Sequence, residues 1–327
     1  MIPNRYYVGL DVGGSAMKAG VVDDHGRPLS SVSLPTEAER GPEAGLQRMA
    51  ETIQAAIQAA GRTLDDIAAI GVATPGLMDI PAGVITQSVN LPGWNNVPVR
   101  DTVARFFAKP TAFQNDANAA ALGEYWAGAG KGVRSLVFFT LGTGVGGGII
   151  LDGKVLEGRN SHGGELGHLK IEMTQPRRCG CGRLGCLEAY ASALAVVKRA
   201  YEALNQPAQT SSLREVLTSR GELTARDVFT AAEQGDELAG RLVEETAYYL
   251  AIGAMNAMHT IDPEMIVFGG GMTAAGEGFL ERIRAHVRQL AFPLPAERTT
   301  IRYAQLGTDA GFIGAAACGR QLVVEKG

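Results

Sequence analysis

Cys179, Cys181 and Cys186 lie within eight residues of one another, in the run Arg178-Cys-Gly-Cys-Gly-Arg-Leu-Gly-Cys-Leu-Glu188. Gly180, Gly182 and Gly185 separate them, so the backbone can curl and bring three sulfurs to one point. A tetrahedral zinc site needs a fourth ligand, and His168 stands just upstream in Gly164-Glu-Leu-Gly-His168. The Cys3His set suits a closed structural zinc ion. The alternatives are a reducible disulfide or three unrelated thiols. A Cys-x-Cys pair makes a poor bridge, and Cys318, the remaining cysteine, lies far away in an alanine-rich stretch, so zinc is the expected occupant. Glu165 and Glu188 flank the four ligands, so the metal would orient polar side chains rather than staple a remote loop.

Three glycine clusters are candidates for phosphate contact: Gly13-Gly14, Gly142–Gly148 and Gly269–Gly271. Glycine lets backbone N–H groups approach phosphate oxygens and form an anion nest. None of the clusters has the Walker A pattern or the dinucleotide fingerprint. Each alone reads as a tight turn, but all three follow directly after a strand pattern, which favours a shared nucleotide role. Asp11, at the end of the first strand, could hold a Mg2+-bound water, and Lys18 could meet a phosphate, although a lone lysine on a strand is usually solvated. All three turns lie outside the cysteine segment.

Asn115-Asp116 falls between a strand and a helix. Aspartate is a preferred N-cap, and on the dipeptide alone capping is the simpler reading. The functional alternative is a general base at a strand's end, taking a hydroxyl proton as that oxygen attacks phosphorus. Glu165, His168 and Glu188 lack the arrangement of a hydrolase triad, and no Gly-x-Ser-x-Gly elbow appears. Carboxylates with an imidazole suit vicinal hydroxyls, and a metal-bound imidazole keeps one ring N–H to donate.

Strands and helices alternate around these residues. Tyr6–Val12 reads as a buried strand, followed by the turn at Asp11-Val-Gly-Gly-Ser15 and a strand over Ala16–Val22. A strand is expected over Leu29–Leu34, and a helix over Glu43–Ala60 with Leu46, Met49, Ile53 and Ile57 on one stripe. Ile67–Ala73 and Thr111–Gln114 are strands, with a helix from about Ala117 to Trp126. A second hairpin follows: Ser135–Leu141, a turn over Gly142–Gly148, and Ile149–Leu151. Repetition of strand, glycine turn, strand suggests two related α/β halves. Beyond the cysteines the chain reads as mostly helical, with Ala189–Ala203, Ala225–Gln234 and Glu237–His259, a polar loop over Asn205–Ser212, the strand Met265–Phe268, a helix over Phe279–Leu290 and a final helix over Ala310–Gly319. The alternation predicts an α/β fold with mixed sheets. The boundary is expected near Asp116: a smaller domain over 1–116, completed by the C-terminal helix 310–327, and a larger one over 117–309 carrying the zinc loop.

The 327 residues suffice for two domains and a substantial core. Hydrophobic residues make up 46% and charged residues 20%, as in ordinary soluble proteins. A net charge of −4 without a basic tract argues against nucleic acid or an anionic membrane as main partner. No apolar run has the length of a membrane span, and Met1-Ile-Pro-Asn-Arg-Tyr-Tyr lacks a signal-peptide apolar region. With four cysteines this points to a reducing cytosol.

Asp11-Val-Gly-Gly-Ser15, Gln114-Asn-Asp-Ala-Asn118, Leu141-Gly-Thr-Gly-Val-Gly-Gly-Gly148, Gly164-Glu-Leu-Gly-His168, Cys179–Glu188 and Asp262-Pro-Glu-Met-Ile-Val-Phe-Gly-Gly-Gly271 occur in order along nearly the whole chain. Together they resemble the ROK family (repressor, open reading frame, kinase), most of all its bacterial zinc-containing glucokinases. The resemblance implies the two-domain actin/hexokinase/Hsp70-like ATPase fold with an interdomain cleft, and ATP-dependent phosphorylation of the 6-hydroxyl of glucose. It implies Asp116 as catalytic base, and Asn115, Glu165, His168 and Glu188, with Gly76 and Asn90, as sugar-binding residues. ATP and Mg2+ would meet Asp11, Gly13, Gly14, Ser15, Lys18, Gly142, Thr143, Gly144, Gly269, Gly270 and Gly271. Zinc would be held by His168, Cys179, Cys181 and Cys186. The resemblance also implies a homodimer. Ser15 departs from the commoner threonine but keeps a hydroxyl. Repressor members carry a helix-turn-helix before the first glycine turn; with about five residues before the first strand, a kinase member that does not bind DNA is expected. Another hexose, an N-acetylhexosamine (N-acetylglucosamine, N-acetylmannosamine), mannose or fructose as substrate, and polyphosphate as donor, stay open, as does a non-catalytic sugar sensor.

Overall fold

A computed structural model describes residues 5–88, 90–206 and 209–324. Residues 207 and 208 of the expected polar loop, the first four residues and the last three of the expected C-terminal helix lie outside them.

Two five-stranded sheets dominate, and they repeat one plan. The first is built from β1 (Tyr6–Val12), β2 (Ala16–Asp23), β3 (Val32–Pro35), β4 (Ile67–Thr74) and, further on, Thr111–Asn115, in the order β3-β2-β1-β4 and then Thr111–Asn115. Helix α1 (Gly41–Ala59) precedes β4. After β4 come the small three-stranded ribbon of β5 (Leu77–Asp79), β6 (Val84–Gln87) and β7 (Asn95–Val97), then α2 (Val99–Phe107), β8 (Thr111–Asn115) and α3 (Asp116–Ala127). The β1–β2 and β2–β3 pairs are antiparallel, whereas β4 runs parallel to both β1 and β8. The second sheet contains β9 (Ser135–Leu141), β10 (Val145–Leu151) and β11 (Lys154–Val155). It is completed, after α4 (Glu188–Ala191), α5 (Ala193–Leu204), α6 (Leu213–Arg220), α7 (Ala225–Glu233) and α8 (Glu237–Ile261), by β12 (Met265–Gly269) and, after α9 (Gly276–Leu290) and α10 (Pro293–Arg298), by β13 (Thr300–Tyr303). Its order is β11-β10-β9-β12-β13. Helix α11 (Ala310–Val324) follows. The strand order follows the same plan in both sheets, which is the repeat expected from the two glycine hairpins.

The chain divides into two compact units: one comprises residues up to Leu136, Gly148–Gly164 and Gln305 onward; the other comprises Val137–Gly147 and Glu165–Ala304. Helix α3, which follows the boundary expected at Asp116, lies in the first unit and packs on α11.

Side-chain alternation explains how the first sheet is covered. Val8, Leu10, Ile70 and Val72 face one side and join Met49, Ile53 and Ile57 of α1 and Val103 of α2 in a dry core. The other side meets α11. A Cβ on Gly9 or Gly71 would fall on the backbone of α11, and one on Gly314 would fall on the Ala119 carbonyl of α3. Absent side chains therefore let α11 lie directly on β1, β4 and α3. The run Gly311-Phe-Ile-Gly-Ala-Ala-Ala-Cys-Gly319, all buried, reads as a close-packed helix for this reason.

Three expectations need correction. The single helix expected over Ala189–Ala203 breaks at Ser192, whose extended backbone and hydroxyl, accepting from Ala195 N–H, start α5 afresh. The turn expected over Gly142–Gly148 is shorter, because β10 begins at Val145. Gly148 is a strand glycine where a Cβ would crowd Ala121 and the α3 backbone. The strand expected from Leu29 begins at Val32. A short strand over Val84–Gln87 is legible in the sequence and is β6, whereas helices α6 and α10 and the strands β5 and β7 carried too little periodic pattern to be read.

Candidate active site

Within the first unit, β1 and β2 are joined by a turn at Gly13–Ser15, closed by Gly13 N–H donating to the Ala16 carbonyl at 2.9 Å. Thr36, fully buried, clamps this turn twice: its hydroxyl donates to the Gly13 carbonyl at 2.7 Å and its N–H to the Ser15 carbonyl at 3.0 Å. Nothing in the sequence marked Thr36. Gly14 lies against the chain at Asn90, whose carbonyl oxygen is 3.0 Å from where a Gly14 Cβ would stand. Gly76, with φ of 114°, folds against Gln87 and Ser88 at a place closed to a Cβ.

Asp11 is the penultimate residue of β1, with its carboxylate against Gly311 of α11, where a Cβ would collide with it. Burial pushes its carboxyl up to about 7; the Asp116 charge adds to this, and Lys18 opposes it. Lys18 itself is engaged elsewhere. Its ammonium donates to the Thr308 hydroxyl at 2.9 Å and pairs with Asp309 at 2.5 Å, just before α11.

Asn115, not Asp116, is the N-cap of α3. Its Oδ1 accepts from Ala117 N–H at 2.9 Å and Asn118 N–H at 3.2 Å. Asp116 occupies the first helical position, its Oδ1 accepting from Ala117 N–H at 2.9 Å. The positive end of the α3 dipole therefore favours the Asp116 carboxylate, and Asn115 is left with its amide N–H groups to offer a ligand. The capping alternative weighed for Asp116 falls on its neighbour.

The second unit assembles the remaining residues. His168 and the cysteines converge: His168 Nδ1 is 3.9 Å from Cys179 Sγ, Cys181 Sγ is 3.8 Å from Cys186 Sγ, and all four ligand atoms lie within 4.8 Å of one another. A zinc–sulfur bond of about 2.3 Å gives a tetrahedron edge of about 3.8 Å, so the donor set fits such an ion. Gly182 and Gly185, with φ of 83° and 77°, turn the loop. Cys179 and Cys186 are buried, and Cys181 is exposed. Burial drives the Cys179 thiol far above the usual range. At Cys181 burial acts the same way but is outweighed by hydrogen bonds from Arg183 N–H and the neighbouring thiols, and by Lys170. Three thiols crowded beside an imidazole form a donor set that a cation would hold together. Lys170, unmarked by the sequence reading, donates to Cys186 Sγ at 2.8 Å.

With Nδ1 turned to the sulfurs, His168 presents Nε2 3.9 Å from the Glu165 carboxylate. Glu188 bridges two features that looked separate in sequence: Oε1 is 3.3 Å from Cys179 Sγ, and Oε2 accepts from Val145 N–H at 3.0 Å. Its carboxylate fills the space that a Gly144 Cβ would need, and a Gly167 Cβ would meet the Val145 carbonyl. Ala193 N–H donates to the Gly142 carbonyl at 2.9 Å. The turn Gly142-Thr143-Gly144, closed by Gly142 N–H to the Gly144 carbonyl at 3.0 Å, is thus seated on residues flanking the His-Cys cluster. Gly270, with φ of 88°, leans on the backbone of Leu141, so the third glycine cluster, Gly269–Gly271, adjoins the second.

The ROK family model matches residues 7–321. The chain is 37% identical over 311 residues to a glucokinase of Halalkalibacterium halodurans, covering 95% of this chain and 94% of that one. Among solved structures it resembles a ROK hexokinase from Thermus thermophilus (TM-score 0.84, 37% identity, 98% of this chain and 100% of that one). It also resembles a ROK family glucokinase from Streptomyces griseus in complex with glucose and AMPPNP (TM-score 0.78, 33% identity, 97% and 99%). The fold is accordingly the actin/hexokinase-like ATPase fold, and the chain belongs to the ROK family.

Proposed function

We propose that this protein is a sugar kinase that transfers the γ-phosphoryl group of ATP to the 6-hydroxyl of glucose. The observation that carries the reading is the carboxylate of Asp116 on the first turn of α3, beside Asp11, in a chain 37% identical to a glucokinase along 95% of its length. Asp116 accepts the hydroxyl proton as the sugar oxygen bonds to phosphorus and the bond to the ADP oxygen breaks. Phosphoryl transfer depends chiefly on positioning and on neutralising charge. The glycine turns at Gly13, Gly14 and Ser15, at Gly142–Gly144 and at Gly269–Gly271 supply backbone N–H groups for the phosphates. Asp11 is the residue to hold a Mg2+-bound water, and the ion would neutralise phosphate charge. Lys18, committed to Asp309, contributes to the field rather than to direct contact.

Asn115 donates from its amide, its oxygen being used by the cap. Glu165 and Glu188 accept from sugar hydroxyls, and the Nε2–H of His168 donates to one. Gly76 and Asn90 complete the sugar side. The cluster of His168, Cys179, Cys181 and Cys186 would hold zinc, which supplies rigidity to the loop and no chemical step. Among the described residues no helix is long and apolar enough to cross a membrane, which is compatible with a cytosolic enzyme. A homodimer is the assembly the family resemblance implies.

A coupled ADP-release assay over a panel of hexoses and N-acetylhexosamines tests the reading. Glucose should give the highest kcat/KM with ATP, and Asp116→Asn should lower kcat by about 10²–10⁴-fold while sugar still binds. Near wild-type turnover in Asp116→Asn would remove the base from the mechanism.

A further inference from the structure

Gln114 is almost wholly buried near the end of β8, and both ends of its amide are engaged. Its Oε1 accepts from Asn115 N–H at 2.8 Å and from Asn118 Nδ2 at 3.2 Å; its Nε2 donates to Glu157 Oε1 at 2.8 Å. All four residues belong to the first unit. The two acceptor contacts bracket the turn that carries Asp116: one holds the residue before it, the other the first turn of α3 after it. An amide has two faces of similar shape, and only its partners decide which one points where. Glu157 and the Asn115 N–H, which can only donate, decide it together. An ionised carboxylate accepts and never donates, so it draws the Nε2 face and leaves Oε1 for Asn115 and Asn118. Glu157 is in turn fixed by its backbone, with Gly163 N–H donating to its carbonyl at 2.7 Å, and Gly163 has no room for a Cβ because of that same stretch of chain.

We propose that Gln114 is a positioning residue for the phosphoryl-transfer base, with Glu157 setting the sense of its amide. The proposal rests on the reading of Asp116 as base. Neither residue touches substrate; they act by holding Asn115 and α3 so that the Asp116 carboxylate meets the acceptor hydroxyl in line. A misplacement of about 1 Å at a reacting group can lower turnover by about a hundredfold.

The test uses reversal of the pair in the full-length protein. Gln114→Glu sets two carboxylates against each other. Glu157→Gln removes one of the two groups that discriminate the amide's ends, leaving the Asn115 N–H. The double variant Gln114→Glu/Glu157→Gln restores an acceptor toward Asn115 and Asn118 and a donor–acceptor contact between the side chains. Each single variant should lower kcat about ten- to a hundredfold, leave the KM for ATP within about twofold and keep a cooperative melt, and the double variant should regain most of the loss. In an Asp116→Asn background Gln114→Glu should cost little more, because residues acting through one group are non-additive. Full kcat in both single variants, or an undiminished further loss in the Asp116→Asn background, would overturn the positioning role while leaving the base intact. Retained turnover in Asp116→Asn alone would overturn both.

Discussion

Asp11→Asn should make the ligand-free protein more stable at neutral pH while impairing its activity. The ordinary carboxyl value is 3.8, and in the folded chain burial, reinforced by Asp116, raises Asp11 to about 7. Between those values the folded state binds more protons than the unfolded state, so stability falls as pH rises from about 4 to about 7 and levels off above. At about 1.4 kcal/mol per pH unit, the linkage over this interval amounts to about 4 kcal/mol. Asparagine has the same shape and no charge to bury. Urea unfolding of wild type and Asp11→Asn at several pH values between 4 and 8.5 measures the difference directly. The two should agree near pH 4, and the variant should gain stability progressively to about pH 7, by up to about 4 kcal/mol. Binding of Mg2+ and nucleotide to wild type near pH 7 should release protons, visible as a buffer-dependent heat. Parallel stability curves across the range would refute the claim that Asp11 is held above its ordinary value.

Gly144→Val should raise the KM for sugar as well as that for ATP, since the new side chain displaces Glu188 from Val145 N–H; loss of a hydrogen bond to a charged group, about 1.5–3 kcal/mol, corresponds to about a ten- to hundredfold effect. An unchanged sugar KM in steady-state kinetics would show that Gly144 serves the phosphates alone. Purified protein should contain about one zinc per chain, and Cys181→Ser should lose it on elemental analysis. Sugar affinity should then fall about ten- to hundredfold, and nucleotide affinity should weaken too, because Glu188 and Gly167 support the Gly142–Gly144 turn. Titration calorimetry on each ligand checks both, and unaltered nucleotide binding in the metal-free variant would sever that link.

Much of the fold was legible because its signals are local. Buried strands such as Ile67–Thr74 are continuous apolar runs, α1 keeps its 3.6-residue stripe, and left-handed turns require glycine at Gly182 and Gly185. The split of one expected helix at Ser192 was not legible, because alanine-rich sequence is compatible with helix on both sides and only a hydroxyl cap interrupts it. Asn115 and Asp116 are both good caps, and the choice between them depends on where β8 ends, which is set by its pairing with β4. Lys18 looked available for a phosphate because its partners, Thr308 and Asp309, lie some 290 positions away.

The sequence by itself determined which groups are available: three thiols and an imidazole at ligand spacing, a carboxylate after a strand, and glycines that leave backbone N–H groups uncovered. Residue type and short-range spacing are enough for that, since each depends on a few neighbouring bonds. Tertiary structure alone decided which of those groups touch. Glu188 joins the cysteine loop to the second glycine turn, Gly9 and Gly71 are small because α11 lies on them, and Glu157 meets the Gln114 amide next to Asn115. Such contacts join residues tens to hundreds of positions apart, and local propensity is blind to them: they arise only when burial of the two sheets' apolar faces fixes one register and one helix seating.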